Sequence, residues 1–158
     1  MAMDLNQPEY VVEGELSKHG TYAANTTGVS MRPLFKTHRD VVVLKKPDRD
    51  LKKYDVVLYT GASHKYILHR IIGVRDDCFV IRGDNTFIKE YVPRDRILAY
   101  LVSFNRNGKR HTVDEFGYKL YSRFWNFIYP IRYLINLFRR VLGKIKRMFL
   151  KGGKKNDG

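Results

Sequence analysis

Cysteine is nearly absent from this chain, which contains one residue of that type, Cys78. A single cysteine excludes an intrachain disulfide and a cysteine cluster for zinc or iron–sulfur. The sequence also lacks any run of about 18 uncharged apolar residues, which predicts no transmembrane helix. The segment before Ser17 has no basic stretch followed by an apolar one, so it predicts neither a signal peptide nor a membrane anchor. We expect neither a metal nor a cofactor.

Acidic residues are missing from one region, residues 118–155, which carries eleven of the 30 Lys and Arg residues. The other nineteen are nearly balanced by the 16 Asp and Glu residues, so the net charge of +14 belongs mainly to this region. The hydrophobic content of 44% is typical of a globular chain and not of a disordered one. A basic segment of this kind predicts an anionic partner, which is either a membrane surface or a nucleic acid.

Short β-prone stretches separated by polar turns fill the first two thirds of the chain. We predict a helix over 8–19 that ends at Gly20, and strands over 22–27, 40–46, 54–60, 65–74, 78–82, 96–105 and 109–113. Asn107-Gly108 is typical of a type I′ hairpin turn. Without an internal repeat or a βαβ alternation, this pattern predicts a mainly β fold, a partly closed antiparallel β domain of about 110 residues.

From about residue 114 the hydrophobic period becomes that of a helix. We predict helices over 118–129 and 131–150, with a kink at Pro130. The second helix carries an apolar stripe at helical spacing, which consists of Ile131, Leu134, Ile135, Phe138, Leu142, Ile145 and Phe149. The predicted domains are therefore a β domain over 1–114, a basic amphipathic helical tail over 115–150 and a disordered end over 151–158.

Two interpretations of the tail stay open. The apolar stripe can pack on the β domain as core, with a solvated basic face, or the helix can lie in the interface of a bilayer. Aromatic side chains suited to the headgroup layer are Tyr121, Trp125, Tyr129 and Tyr133, and the cations that would meet anionic lipid include Arg132, Arg139, Arg140 and Lys144. So many aromatic and bulky aliphatic residues favour lipid over nucleic acid. We expect peripheral membrane association at the cytoplasmic face, which a basic tail favours, and no nucleic-acid partner.

A serine in a glycine-bounded turn, Gly28-Val29-Ser30-Met31-Arg32-Pro33, is the first candidate for chemistry. A serine hydroxyl becomes a nucleophile when a base removes its proton and amide groups stabilise the developing oxyanion. A tight turn over Gly28, Val29 and Ser30 can aim successive amides at one point. His69 can serve as the base, because imidazole titrates near neutral pH. Taken alone, a serine in a turn and a histidine in a strand are more often a turn residue and a packing residue.

Three sequence motifs in a fixed order carry a more specific signal. Ser30-Met31-Arg32-Pro33 precedes a strand pair, then a strand with His69-Arg70, then Gly83-Asp84-Asn85. Over about residues 21–104 this order closely resembles the signal peptidase I and LexA-like superfamily of serine peptidases. Common bacterial signal peptidases and LexA-like proteins have a lysine as base, whereas the endoplasmic-reticulum type has a histidine. The resemblance therefore implies a Ser–His peptidase of that second type, with Met31, Pro33, Arg70, Gly83 and Asn85 as further motif residues.

The resemblance also implies a third group that orients the imidazole. The family has an aspartate in or just after the Gly-Asp-Asn segment, which favours Asp84, while Glu90 falls where the endoplasmic-reticulum pattern has an acidic residue. Asp84 can equally be a turn residue that bonds nearby amides. Gly28 stands where common signal peptidases often supply a hydroxyl donor, so an oxyanion hole made of backbone amides alone is implied.

The function predicted from these residues is a serine endopeptidase that cleaves a peptide or leader substrate at the membrane surface. The whole chain, tail included, is similar to stand-alone signal-peptidase-like proteins of Gram-positive anaerobes, and the family implies cleavage after small residues. Two alternatives remain. One is a self-processing LexA-like protein, for which Ala23-Ala24 is the one candidate cleavage site upstream of Ser30. The other is a catalytically inactive module that binds a membrane surface.

Overall fold

The computed structural model describes the backbone of residues 3–4, 9–61 and 65–152, and side chains from Val12 onward except at 145–146 and 148–152. The chain divides into two compact units, Met1–Arg123 and Phe124–Gly158. The first unit thus runs past residue 114, where the sequence predicts the β domain to end, and takes in the first two turns of a helix. Of the end predicted to be disordered, 151–152 are helical, and 153–158 lie outside the described residues.

One sheet forms the framework of the first unit. It is antiparallel except for its first pair, and its strand order is β1-β2-β3-β8-β4-β5-β6-β7, with β9 paired to β8. The elements of the unit are β1 (Met3–Asp4), α1 (Glu9–His19), β2 (Thr21–Asn25), β3 (Val41–Lys45), β4 (Val56–Thr60), β5 (Tyr66–Val74), β6 (Cys78–Arg82), β7 (Glu90–Pro93), a 3₁₀ turn (Arg94–Arg96), β8 (Ile97–Arg106), β9 (Lys109–Thr112) and the start of α2 (Phe116–Phe127). This architecture, mainly antiparallel β with a C-terminal helical region, confirms the predicted fold class.

Glycine and asparagine end elements where the sequence predicts. Gly20 ends α1 with φ at +67°, and its amide donates to the carbonyl of Leu16 at 3.0 Å. Asn107 and Gly108 both have positive φ, 51° and 77°, as a type I′ turn requires, so this predicted hairpin is confirmed. The predicted turn over 61–63 lies largely outside the described residues, as does the predicted helix start at Pro8.

The short strand β7 and the 3₁₀ turn were not predicted. Only Val92 among the four residues of β7 is buried, so the strand carries no alternating hydrophobic pattern. It forms the edge of the sheet and pairs with β6, with Glu90 opposite Ile81. This edge strand matters for the site, because it begins at Glu90.

Alternation along β5 divides the core between two clusters. Leu68 belongs to one cluster, together with Val12 and Leu16 of α1, while Ile71 belongs to the other. The sequence predicts this arrangement of β5, with Tyr66 and Leu68 on one face and Ile67, His69 and Ile71 on the other. Fully burying side chains of this size stabilises the fold by about 1.5–3 kcal/mol each.

The second unit holds the end of α2 and the helix α3 (Tyr129–Gly152). The predicted kink at Pro130 is wrong in detail. The helix α2 ends at Phe127, and Pro130 stands in the first turn of a new helix, where its missing amide proton costs no hydrogen bond. The described part of the predicted apolar stripe is exposed on α3 at Ile131, Leu134, Ile135, Phe138 and Leu142. The side chains of Ile145 and Phe149 lie outside the described residues. Over the described chain, no helix combines the length and the apolar character needed to cross a membrane.

Candidate active site

The segment between β2 and β3, residues 26–40, forms a loop that we call the nucleophile loop because it contains Ser30. Its two ends are joined, since the Thr26 amide donates to the Asp40 carbonyl at 3.0 Å and the His38 amide to the Thr26 carbonyl at 2.9 Å. The buried Asp40 carboxylate accepts the Lys36 amide at 2.9 Å. Apolar side chains of the loop also enter the core, at Met31, Leu34 and Phe35. Ser30 therefore lies on a loop fixed at its base and by its own apolar residues.

Ser30 follows a backbone position that favours glycine. Gly28 has φ at +78°, in the left-handed region that residues with a side chain rarely adopt. The turn is closed by the Arg32 amide, which donates to the Val29 carbonyl at 3.2 Å, and the Arg32–Pro33 peptide is cis. Pro33 and Val29 are exposed, whereas Met31 is buried. Among the described residues, neither the hydroxyl nor the amide of Ser30 has a hydrogen-bond partner, so both are available to a bound molecule.

The Gly-Asp-Asn segment packs against this turn. The Asn85 amide donates to the Ser30 carbonyl at 2.7 Å, and the Asn85 side chain donates to the Val29 carbonyl at 3.2 Å. A Cβ atom added to Gly83 would lie 2.8 Å from the Ser30 carbonyl oxygen and 2.9 Å from Nε2 of His69. Only glycine fits here without displacing the loop or the imidazole. Since both atoms lie close to the same point beside Gly83, the backbone of Ser30 and Nε2 of His69 are neighbours on one side of this glycine.

His69 is a buried residue of β5 with a defined orientation. Its Nδ1 lies 3.1 Å from a carboxylate oxygen of Glu90 and 3.2 Å from the hydroxyl of Tyr59. A carboxylate only accepts, so Nδ1 carries the proton and Nε2, on the side of Gly83 and Ser30, carries the lone pair. The Ser30 hydroxyl and Nε2 do not hydrogen-bond to each other in this structure. Contacts of this kind are often long before a substrate binds.

Burial controls the protonation of His69. Loss of solvent lowers its pKa below the ordinary value, and the neighbouring Glu90 carboxylate, which favours the charged form, offsets only part of this effect. The imidazole is therefore neutral at pH 7 and able to accept a proton. Burial also raises the pKa of Tyr59, with Glu90 adding to the shift, so this hydroxyl keeps its proton.

The structure brings Glu90, rather than the preferred Asp84, to the imidazole. Asp84 is buried and its two carboxylate oxygens accept from Nε and Nη2 of Arg70, both at 2.8 Å. Tyr121 donates to the same carboxylate at 3.0 Å. In the structure, Glu90, the competing residue from the sequence, contacts the imidazole, whereas the preferred Asp84 is bonded to Arg70.

Arg70 joins β5 to α2. Its Nη1 donates to Ser122 at 2.8 Å, to the Tyr54 carbonyl at 3.0 Å and to the Tyr118 hydroxyl at 3.3 Å. The side chain is fully buried, and although burial opposes its charge, the Asp84 carboxylate more than offsets this, so the pKa of Arg70 is raised. The start of α2 is thus bonded to the ion pair behind the candidate site.

Sequence reasoning missed several of these contributors. Tyr59 lies on β4 with its side chain on the face of His69, since Val57 pairs with His69 and Tyr59 with Ile67. Alternation along β4 would have found it. No local pattern indicated Tyr118, Tyr121 and Ser122, because their contacts with Arg70 and Asp84 join residues that are far apart in the chain.

A cavity of about 270 Å³ opens beside Ser30. Its lining comes from the nucleophile loop and the start of β5, and includes Thr27, Gly28, Met31, Tyr66 and Leu68 besides Ser30 and His69. The lining mixes polar and apolar groups, and β6 pairs with β5 only from Arg70 onward. The part of β5 that lines the cavity is therefore a part that β6 does not pair with.

The Ala23-Ala24 bond, the candidate for self-processing, lies inside β2. Both residues pair with β3, opposite Val43 and Val42, and Ala24 is fully buried. Cleavage there would require β2 to leave the sheet.

Of the residues predicted to meet a membrane surface, Tyr121 lies in the first unit, where it donates to Asp84, and the others lie in the second unit. Trp125 is in α2, and the guanidinium of Arg132 lies 3.9 Å from the centre of its ring. Arg139, Arg140 and Lys144 are exposed on α3.

The chain is similar to a known peptidase over part of its length. It is 27% identical over 94 residues to signal peptidase I V of Bacillus subtilis (strain 168). The aligned residues are 58% of this chain and 55% of the relative. The chain thus spans little more than half the length of this curated relative. No family model matches the sequence, and no solved structure matches it. This distant similarity points to the signal peptidase superfamily.

Proposed function

We propose that this protein is a serine endopeptidase of the signal peptidase type, with Ser30 as nucleophile, His69 as general base and Glu90 as the residue that orients His69. The observation that carries the proposal is the fixed orientation of the imidazole. Nδ1 faces Glu90, which leaves the Nε2 lone pair on the side of Ser30. The similarity to signal peptidase I V supports the same reaction class.

In this reaction, the Ser30 oxygen attacks the carbonyl carbon of the substrate while its proton moves to Nε2 of His69. The unbonded Ser30 amide stabilises the oxyanion, together with the backbone of the Gly28 turn. The C–N bond then breaks, the leaving amine takes the proton from Nε2, and an acyl-serine remains. A water molecule activated by His69 releases the acyl group as a carboxylic acid and restores Ser30.

Burial of His69 suits this role. Because its pKa is lowered, the base is in its neutral form at physiological pH, and Glu90 stabilises the imidazolium formed in the transition state. The Tyr59 hydroxyl hydrogen-bonds to Nδ1 of His69 and to Glu90, and so holds these two groups next to each other.

The experiment that tests the proposal is reaction of the full chain with a serine-directed acylating probe, followed by mass spectrometry of the labelled peptide. We expect a label on Ser30 that is lost in Ser30→Ala and reduced at least 100-fold in rate in His69→Ala. Ser17→Ala, which changes an exposed serine of α1, is the matched control and should label like the natural protein. Labelling that is unchanged in Ser30→Ala would overturn the assignment.

We further propose that the reaction takes place at an anionic membrane surface. The helix α3 supports this, because it exposes both an apolar stripe and the cations Arg139, Arg140 and Lys144. Binding of the full chain to phosphatidylglycerol vesicles, measured by sedimentation, should weaken at least tenfold in Arg139→Glu/Arg140→Glu. The control Lys109→Glu/Arg110→Glu makes the same charge change on β9 and should bind like the natural protein, whereas equal losses would contradict a specific role for α3.

A further inference from the structure

A second cavity, of about 270 Å³, lies within the first unit and apart from Ser30. The turn before β4, the middle of β8 and the start of α2 enclose it. The apolar part of its lining, which we call its floor, includes the buried Val56 and Leu101. Tyr118 and Ser122, which bond to Arg70, form part of its wall. The proposed peptidase reaction does not use this cavity.

Positive charge dominates the lining of this cavity. Five cations and two carboxylates contribute to it: Arg49, Lys52, Lys53, Lys119, Arg123, Asp55 and Asp114. Both carboxylates are already paired, Asp55 with Arg49 at 2.8 Å and Asp114 with Lys119 at 3.1 Å. Within the described part of the chain, Lys52, Lys53 and Arg123 have no acidic partner. The lining of the cavity therefore includes three cations without a carboxylate partner.

Backbone geometry at the same place is unusual. Tyr54, which follows the two lysines, has φ at +82°, a strained conformation for a bulky residue. It is held there because its amide donates to the Ile71 carbonyl at 2.8 Å and its carbonyl accepts from Arg70 at 3.0 Å. Strained residues of this kind persist where the surrounding structure fixes them, and they occur often at ligand sites.

We propose that this cavity binds a phosphate group, with Lys52, Lys53 and Arg123 as its cationic partners and the apolar floor beneath it. Lys and Arg are the usual partners of phosphate oxygens, and a partly enclosed site strengthens their attraction. The phosphate can belong to the headgroup of an anionic lipid or to a free phosphate ion. The lipid would also use the apolar floor, whereas the free ion would use the cations alone. This inference does not depend on the peptidase assignment.

The test is a residue-resolved titration of the isotope-labelled full chain by NMR. Inorganic phosphate is added first, against sodium chloride at the same ionic strength, and then dihexanoylphosphatidylglycerol below its micelle concentration. We expect saturable shifts at the amides of Lys53, Tyr54, Lys119 and Ser122. A lipid affinity at least tenfold above that of phosphate would identify the headgroup as the source, and similar affinities would identify the free ion.

Matched variants separate a site from general charge attraction. Lys52→Ala/Lys53→Ala should weaken the binding at least fivefold, whereas Lys109→Ala/Arg110→Ala, which removes two exposed cations from β9, should not change it. Arg123→Gln is a second variant, on a different element, for which we expect at least a twofold loss. Shifts that do not saturate, that also appear with sodium chloride, or that are equal in all variants would overturn the proposal.

Discussion

Two neighbouring residues of β5 each bind a carboxylate, and the two pairs differ in almost every physical respect. His69 faces Glu90, whose side chain is 35% exposed, whereas Arg70 faces Asp84 in a pair that is 0% and 2% exposed. Burial lowers the pKa of His69, while Asp84 raises that of Arg70 in spite of burial. The surroundings thus favour a neutral imidazole at His69 and a charged guanidinium at Arg70. Alternation along one strand thus separates a group suited to chemistry from one suited to structure.

The largest expected effect is on folding and concerns the buried pair. Asp84→Ala leaves Arg70 charged, buried and without its carboxylate, which should lower the free energy of unfolding by about 3–5 kcal/mol. Glu90→Ala removes a partly exposed carboxylate and should cost less than about 1 kcal/mol. Urea denaturation measures both. Equal losses would mean that the two pairs do not differ as their surroundings indicate.

The next effect concerns activity and the exposed pair. Glu90→Gln keeps the shape but removes the charge that stabilises the imidazolium, so kcat/KM for a cleaved peptide should fall about 100-fold. Because Glu90 raises the pKa of His69, its loss should also move the acidic limb of the pH profile to lower pH. Asp84→Asn is the comparison variant, and a larger shift of the limb in that variant would return the orienting role to Asp84.

A smaller effect is expected in the dependence of stability on pH. The pKa of His69 is lower in the folded state than the value of about 6.5 in the unfolded chain, so the unfolded state takes up the proton first as the pH falls. Stability is therefore unaffected above about pH 6.5 and is lost as the pH falls from there toward the folded pKa. The difference between the natural protein and His69→Gln, from thermal unfolding at pH 7.5 and 5.5, isolates this contribution. A natural protein that loses less stability than the variant between pH 7.5 and pH 5.5 would contradict the sign.

The smallest effect should come from Tyr59→Phe. The substitution removes one hydroxyl from the surroundings of Nδ1 and leaves Glu90 in contact with it. We expect a loss in kcat of less than about tenfold, since one neutral hydrogen bond contributes about 1 kcal/mol. Steady-state kinetics beside Glu90→Gln would rank the two partners of Nδ1, and a greater loss in Tyr59→Phe would reverse that ranking.

The sequence predicts the strands that carry the site but not the registers that complete it. Periodicity of two in β5 correctly separates Leu68 from His69. The resemblance of the ordered motifs to the peptidase superfamily implies that Ser30, His69 and Gly83 are neighbours, as they are in the structure. The choice between Asp84 and Glu90 depends on β7, which has no hydrophobic pattern. Once β7 pairs with β6, Glu90 lies opposite Ile81, which in turn lies opposite Ile71 of β5. Because Ile71 and His69 are two residues apart on one strand, the Glu90 side chain is on the same side of the sheet as His69. Such a long-range register is not encoded in any local pattern.

The side chains of Tyr118, Tyr121 and Ser122 hydrogen-bond to the buried pair of Arg70 and Asp84. These bonds determine from which residue onward the tail can be replaced or removed. A chain that stops at 115 would lose every one of these partners and open Arg70 and Asp84 to water. A chain that stops at 127 would keep them while discarding α3. Insertions, deletions and sequence changes in the tail are thus compatible with the fold of the first unit only beyond Ser122, so the tail has freedom to diverge that the first turns of α2 do not share.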